Sequence, residues 1–113
     1  YPDRVPSLTP PVDFSAMKPL TFGQPDRKSF PLLDTACYAL HCGGVIPTVF
    51  NAANEVAVDA FLHGKLRFTE LFDIVDDTVR AYPVASSAAP DIAAVNETDR
   101  IARSLTREAI SRL

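Results

Sequence analysis

Proline divides this chain into two parts, because seven of its ten prolines lie within the first 31 residues. A proline fixes φ, lacks a backbone N–H and biases the residue before it toward extended conformations. Residues 1–29 are therefore predicted to form an extended linker arm, with a short strand at 20–22 as the one plausible regular element. An arm of this length without a core of its own usually lies on another body.

Four helical patterns follow in residues 30–113, the predicted helical domain. Apolar residues recur at helical spacing in segments 30–42, 47–63 and 69–82, and a last helix is predicted to begin at Asn96. Thr69 and Asn96 are the predicted N-caps, Asp99 approximates a capping box, and residues 91–95 could add a short helical turn. The predicted fold class is all-α: a proline-rich arm followed by a four-helix, bundle-like domain.

Each predicted helix has one apolar stripe expected to face the core. The second stripe is the widest and marks the central helix of the group. In chain order the stripes are Leu33, Ala36, Cys37 and Leu40; Phe50, Ala53, Val56, Ala57, Ala60 and Phe61; Leu71, Ile74, Val75, Thr78 and Tyr82; and Ile101, Leu105 and Ala109.

Composition excludes several classes of protein. The 113 residues are 47% hydrophobic with a net charge of -3, which is typical of one soluble globular domain and not of a nucleic-acid binder. No apolar run reaches the roughly 20 residues of a membrane span.

Because the chain begins at Tyr1 and not at Met, we expect it to start inside a longer one. Its two cysteines form no disulfide framework, which favours a reducing, intracellular setting.

The segment 51–62 is an apolar helix with a polar band of Asn51, Asn54, Glu55 and Asp59. Positions three and four apart share one helix face, so these side chains lie together. A face turned to water is one interpretation. Asn is a poor helix former, however, and the rest of the helix is apolar, which favours an interface. Asn51, Asn54 and Glu55 are therefore predicted to hydrogen-bond an adjoining domain, with no role in proton transfer.

Acidic and thiol-bearing residues raise two possible metal sites. Three carboxylates could gather a divalent cation, although a solvated helix face explains their spacing better: Asp73, Asp76 and Asp77. Another group has zinc-ligand types at the wrong spacing: Cys37, His41, Cys42 and His63. Cys37 is predicted to be a buried thiol, and the two histidines to lie at helix C-termini.

Basic residues and glycines provide no stronger candidate. Arg100, Arg103 and Arg107 could hold a phosphate, but a salt-bridged surface helix is favoured, with Asp99 and Arg103 suitably spaced. The four glycines form no phosphate-binding loop, and no nucleophile elbow is present. The sequence thus predicts no catalytic, cofactor-binding or metal-ligating residue in this chain.

Several motifs together resemble the C-terminal part of the 1-deoxy-D-xylulose 5-phosphate reductoisomerase family. The most specific is the NAANEVAV stretch at 51–58. The other matching pieces stand in the family's order: YPDRV at 1–5, LTF at 20–22, PD at 25–26, FPL at 30–32, GG at 43–44, Pro47, AFL at 60–62, RFT at 67–69 and the basic last helix. The similarity covers essentially the whole chain. Gly23, Gln24 and the connection at 85–89 depart from the family pattern.

The resemblance implies an enzyme of non-mevalonate isoprenoid synthesis that converts 1-deoxy-D-xylulose 5-phosphate to 2-C-methyl-D-erythritol 4-phosphate. Such enzymes use NADPH and Mg or Mn, and they form homodimers. Their metal ligands and substrate-binding residues lie in a central catalytic domain, and their NADPH-binding residues lie mainly in an N-terminal domain. A C-terminal helical domain reached by a linker would correspond to this chain, so none of those roles is transferred to a residue here.

The resemblance therefore predicts a structural domain that is inactive alone and packs against the catalytic domain. The expected location is the bacterial cytoplasm, or a plastid or apicoplast if the source is eukaryotic. Two alternatives stay open on the sequence. One is a free-standing helical interaction module that uses the proline-rich arm as a ligand or clasp. The other is a small metal enzyme built on Asp73, Asp76 and Asp77.

Overall fold

The computed structural model describes residues 2–3, 5–84 and 89–113. Four helices form within these ranges: α1 (Leu32–Cys42), α2 (Ile46–Leu62), α3 (Phe68–Ala81) and α4 (Ile92–Ile110). The described residues contain no strand. Helix α2 contacts the other three helices, while α3 also contacts α1 and α4. The all-α prediction and the central position of the second helix are therefore confirmed.

The described residues that precede α1 contain turns but no regular element, and almost all of them are exposed. The predicted strand at 20–22 is wrong. Local turns are capped by carboxylates: Asp26 Oδ1 accepts hydrogen bonds from the backbone N–H groups of Lys28 and Ser29, both at 3.1 Å. The extended arm and the division at residues 29 and 30 stay predictions.

Helices α3 and α4 begin earlier than predicted. The N-cap of α3 is Arg67 and not Thr69, because the Glu70 carboxylate accepts a hydrogen bond from the Arg67 backbone N–H at 2.7 Å. The N-cap of α4 is Asp91, whose Oδ1 accepts from the Ala94 backbone N–H at 2.7 Å. Asn96 lies inside α4, so the short turn predicted at 91–95 is the first part of this helix. Ala93 and Ala94, which precede the predicted start, are good helix formers and favour this extension.

The core is built around small side chains of α2. Its buried apolar residues, together with those of α3, confirm the stripes predicted for these two helices, although Phe50, Phe61 and Tyr82 are only half-buried. The buried apolar residues are Ala39, Ile46, Val49, Ala52, Ala53, Val56, Ala57, Ala60, Leu66, Leu71, Ile74, Val75, Val79 and Ala102.

The stripe predicted for α1 is wrong, and the stripe predicted for α4 is confirmed only in part, because Ala109 packs against the core while Leu105 is exposed. Helix α1 buries Thr35 and Ala39, and α4 buries Thr98, Ala102 and Thr106. Buried threonines are tolerated because their hydroxyls have partners: the Thr106 hydroxyl donates to the Ala102 carbonyl at 2.7 Å. Small residues on α4 let it pack closely on the alanine-rich α2.

The larger apolar residues of α4 lie beside this contact. Ile101, Leu105 and Ala109 line a groove of about 510 Å³ between α3 and α4, which Tyr82 also lines. The stripe predicted for α4 therefore borders this groove. The residues of α4 that are buried, Thr98, Ala102 and Thr106, lie on a neighbouring side of the helix.

Candidate interaction surface

A polar cluster joins α2 to α4 and includes two of the three residues predicted to face another domain. Asn51 Nδ2 donates a hydrogen bond to Glu55 Oε1 at 2.9 Å. Arg103 Nη2 donates to Glu55 Oε2 at 2.6 Å, and Arg103 Nε donates to Asp99 Oδ2 at 2.7 Å. We call Asn51, Glu55, Asp99 and Arg103 the α2–α4 polar cluster. It connects the two helices through one guanidinium shared between two carboxylates.

Electrostatics favour the charged forms of this cluster. Hydrogen bonds from Arg103 and from Asn51 hold the pKa of Glu55 below its ordinary value. Hydrogen bonds to Asp99 and Glu55 raise the pKa of Arg103. At neutral pH the side chains of Glu55 and Arg103 are therefore ionised, and their charge-assisted hydrogen bonds fix the outer side of α2 against α4.

The predicted polar band is thus divided in the structure. Asn51 and Glu55 are exposed but have a partner on α4, whereas Asn54 is half-buried. Asp59 lies one turn before the end of α2, where His63 Nδ1 is 2.8 Å from its backbone carbonyl and 3.4 Å from its carboxylate. Sequence reasoning missed Arg103 as the partner of Glu55, because an i, i+4 rule finds Asp99 on the same helix but not a residue 48 positions away.

Two of the three arginines considered on α4 fit the salt-bridged interpretation. Arg100 Nη2 lies 2.6 Å from Glu97 Oε1, and Arg103 has its two carboxylates. Arg107 is exposed and lines a small pocket with Lys65, but this pocket lies at the C-terminal ends of α2 and α4, which disfavour anions. The phosphate interpretation therefore gains no support.

The aspartates of α3 do not converge. Asp76 Oδ1 accepts a hydrogen bond from the Thr35 hydroxyl at 2.5 Å, and Arg80 Nε lies 2.7 Å from Asp76 Oδ2. Burial raises the pKa of Asp76, but the hydrogen bonds from Arg80 and Thr35 outweigh burial and leave it below the ordinary value. Asp73 and Asp77 are exposed. Within the described ranges, no three His, Cys, Asp or Glu side chains are grouped to hold a metal ion.

The thiols and imidazoles are separated as well. Cys37 is exposed, so the prediction of a buried thiol is wrong, and Cys42 is half-buried. A hydrogen bond with Cys42 raises the pKa of the Tyr38 hydroxyl. His41 lies in the last turn of α1 and His63 is the C-cap of α2, which confirms both helix-end positions.

The side chains that the structure describes do not group into a site suited to NADPH or a divalent cation. The glycines Gly23, Gly43, Gly44 and Gly64 form no loop rich enough in glycine to surround a pyrophosphate. Asp76, Glu55 and Asp99 are each paired with an arginine. None of the helices formed by the described residues is long and apolar enough to cross a membrane.

Comparison with known proteins identifies the family. A family model described as "DXP reductoisomerase C-terminal domain" matches residues 1–105. This chain belongs to that family. The 1-deoxy-D-xylulose 5-phosphate reductoisomerases of Thermodesulfovibrio yellowstonii and Cupriavidus necator are 41% and 42% identical to it over 110 and 113 residues. These matches cover 97% and 100% of this chain but 28% of each relative, so the chain spans little more than a quarter of their length.

The fold of this C-terminal domain agrees with a solved reductoisomerase. The structure of the Zymomonas mobilis enzyme in complex with NADPH superimposes with a TM-score of 0.84 at 33% identity, covering 100% of this chain and 29% of that one. The resemblance predicted from the NAANEVAV stretch is confirmed. The family match also favours the reductoisomerase interpretation over a free-standing interaction module.

Proposed function

We propose that this chain is the structural C-terminal portion of a longer enzyme that converts 1-deoxy-D-xylulose 5-phosphate to 2-C-methyl-D-erythritol 4-phosphate with NADPH. The observation that carries the proposal is the family match over residues 1–105. The intact enzyme would use Mg or Mn, act as a homodimer and work in the bacterial cytoplasm, in keeping with its bacterial relatives. The residues of this chain would supply none of the reacting groups.

Its role would be to support the catalytic domain and shape one side of the active-site cleft. We propose that the α2 face bearing Asn51, Asn54 and Glu55 contacts that domain. Asn51 and Glu55 are exposed, and each already has a partner: Arg103 donates to Glu55, and Asn51 donates to Glu55. Little side-chain freedom would therefore be lost when a neighbour binds them. A rigid polar face of this kind suits hydrogen bonding to an adjoining backbone.

A chimera tests the function. This chain replaces the matching region of the Cupriavidus necator reductoisomerase, and NADPH oxidation is followed with 1-deoxy-D-xylulose 5-phosphate as substrate. We expect the chimera to oxidise NADPH only when the substrate is present, and the 113-residue chain alone to do so under no condition. A chimera that folds but shows no turnover, beside an active native relative, would contradict the proposal.

Substitutions in the same chimera test the α2 face. Asn51→Ala and Glu55→Ala should each lower its melting temperature and its turnover, because domain packing loosens. Asp73→Ala is the matched control, since Asp73 is exposed on α3 and lies outside the polar band of α2. If neither Asn51→Ala nor Glu55→Ala changes stability or activity, the contact is refuted.

A further inference from the structure

Helix α1 has a second apolar side that points away from its own core. We call Phe30, Leu33, Cys37 and Leu40 the outer α1 face. Phe30 is 62% exposed, Leu33 37% and Leu40 78%, and Cys37 is exposed too. These positions lie opposite Thr35 and Ala39, which are the residues that α1 buries. Leu33, Cys37 and Leu40 belong to the stripe predicted from the sequence and are turned outward, whereas Ala36 of that stripe is half-buried and Phe30 precedes the helix.

A helix that is apolar on two opposite sides is expected to be covered on both. The inner side of α1 packs on α2 and α3 through Ala39, with Leu32 and Tyr38 half-buried against the same core. The polar residues of α1 form only a narrow sector that contains Asp34 and His41. Leaving the outer α1 face in water would forgo the stabilisation that burial of its leucines and phenylalanine provides.

The position of the preceding segment indicates what covers this face. The Phe30 backbone N–H donates to the Asp26 carbonyl at 3.0 Å, and Arg27 forms an ion pair with Asp34 in the first turn of α1. These contacts hold residues 26–30 beside α1. Because the family model describes a C-terminal domain and the relatives are more than three times longer, the rest of such an enzyme precedes this segment. Helix α1 is then the first helix that the preceding domains reach.

We infer that the outer α1 face docks against the domains that precede this region in the intact reductoisomerase. The inference rests on the proposed function and identifies a second, apolar contact beside the polar one on α2. The occupant is the preceding part of the same polypeptide. Docking of a second copy of this chain on the same face is the alternative, and sedimentation distinguishes the two.

Cys37 is a natural reporter of this contact, because its thiol lies in the middle of the face. A Cys42→Ser variant of the isolated chain and of the chimera is treated with a maleimide, and modification of the peptide that contains Cys37 is followed by mass spectrometry. In the chimera we expect labelling slower by about tenfold or more, because a covered thiol cannot meet the reagent. Equal labelling rates in the two proteins would overturn the inference.

A matched control reports on exposure elsewhere. Ile92→Cys, in a background with Cys37→Ser and Cys42→Ser, places a thiol at the start of α4, at a position that is 80% exposed and outside both proposed contact faces. Its labelling rate should be the same in the chain and the chimera. Protection at Ile92→Cys without protection at Cys37 would assign the contact to α4 and refute docking through α1.

Two further readouts keep the outcomes distinct. Sedimentation of the isolated chain shows whether it is a dimer; a dimer with slow Cys37 labelling would make a second copy the occupant and overturn the inference. NADPH oxidation by the chimera reports separately on the proposed function. If the chimera turns over substrate but Cys37 is labelled as fast as in the isolated chain, docking through α1 is refuted and the proposed function stands. If Cys37 is protected but the chimera shows no turnover, docking through α1 is supported and the proposed function is refuted.

Discussion

Helices α1 and α2 are both apolar in sequence, yet they use their apolar residues differently. Helix α2 buries Val49, Ala52, Ala53 and Ala57 completely and is surrounded by the other three helices. Helix α1 buries only one small apolar residue, Ala39, beside Thr35, and leaves Leu33 and Leu40 exposed. The larger side chains are therefore on the outside of the less buried helix.

The difference teaches that size and hydrophobicity do not identify the core of this chain. Small side chains on α2 allow three neighbours to approach closely, which a stripe of leucines would prevent. Leu33 and Leu40 of α1 face a side that the described residues leave exposed. Their burial would require another body, which is the docking surface inferred above.

The largest expected effect is at the centre of α2. Val49→Ala should lower the free energy of unfolding of the 113-residue chain by about 2 kcal/mol, because a fully buried side chain loses two methyl groups and leaves a cavity. Chemical denaturation monitored by circular dichroism measures the change. A loss no larger than that of Leu40→Ala would remove the contrast between the two helices.

A smaller effect is expected on the inner side of α1. Thr35→Val keeps the buried shape but removes the hydrogen bond to Asp76, and should cost about 1 kcal/mol. The same denaturation experiment measures it, with Thr69→Val at an exposed position as control. A neutral Thr35→Val would mean that α1 is held by apolar contacts alone.

The α2–α4 polar cluster predicts a pH dependence. The pKa of Glu55 is lowered in the folded chain by hydrogen bonds from Arg103 and Asn51. Its contribution is therefore present above the unfolded pKa, at roughly 4.3, and is lost as the pH falls through the folded pKa. The melting temperature of Glu55→Gln should lie below that of the wild type at pH 7 and converge with it at low pH. A difference in melting temperature that does not change with pH would refute the predicted contribution of ionised Glu55 to stability.

The smallest effect is expected on the outer α1 face. In the 113-residue chain Leu40→Ala and its control Ile92→Ala should each change the unfolding free energy by no more than about 0.5 kcal/mol, because both side chains are largely exposed. In the chimera only Leu40→Ala should lower the melting temperature. Equal effects of the two substitutions there would contradict docking through α1.

Several features of the fold could be predicted because they depend on neighbours in sequence. Pro47 stands in the first turn of α2, and Gly43 and Gly64, with φ of 65° and 69°, follow α1 and α2. The exact starts of α3 and α4 could not be predicted. The Glu70 carboxylate folds back on the Arg67 backbone N–H, and the Asp91 carboxylate accepts from the Ala94 backbone N–H, and these caps compete with the more familiar ones at Thr69 and Asn96.

The sequence by itself determined that four helices form, that α2 is their centre and which family the chain belongs to, since periodicity, proline placement and the NAANEVAV stretch are local properties. Only the tertiary structure decided which side of α1 and α4 faces inward and that Glu55 pairs with Arg103. Both depend on how closely helices distant in sequence approach one another, and that distance is set by the small side chains between them.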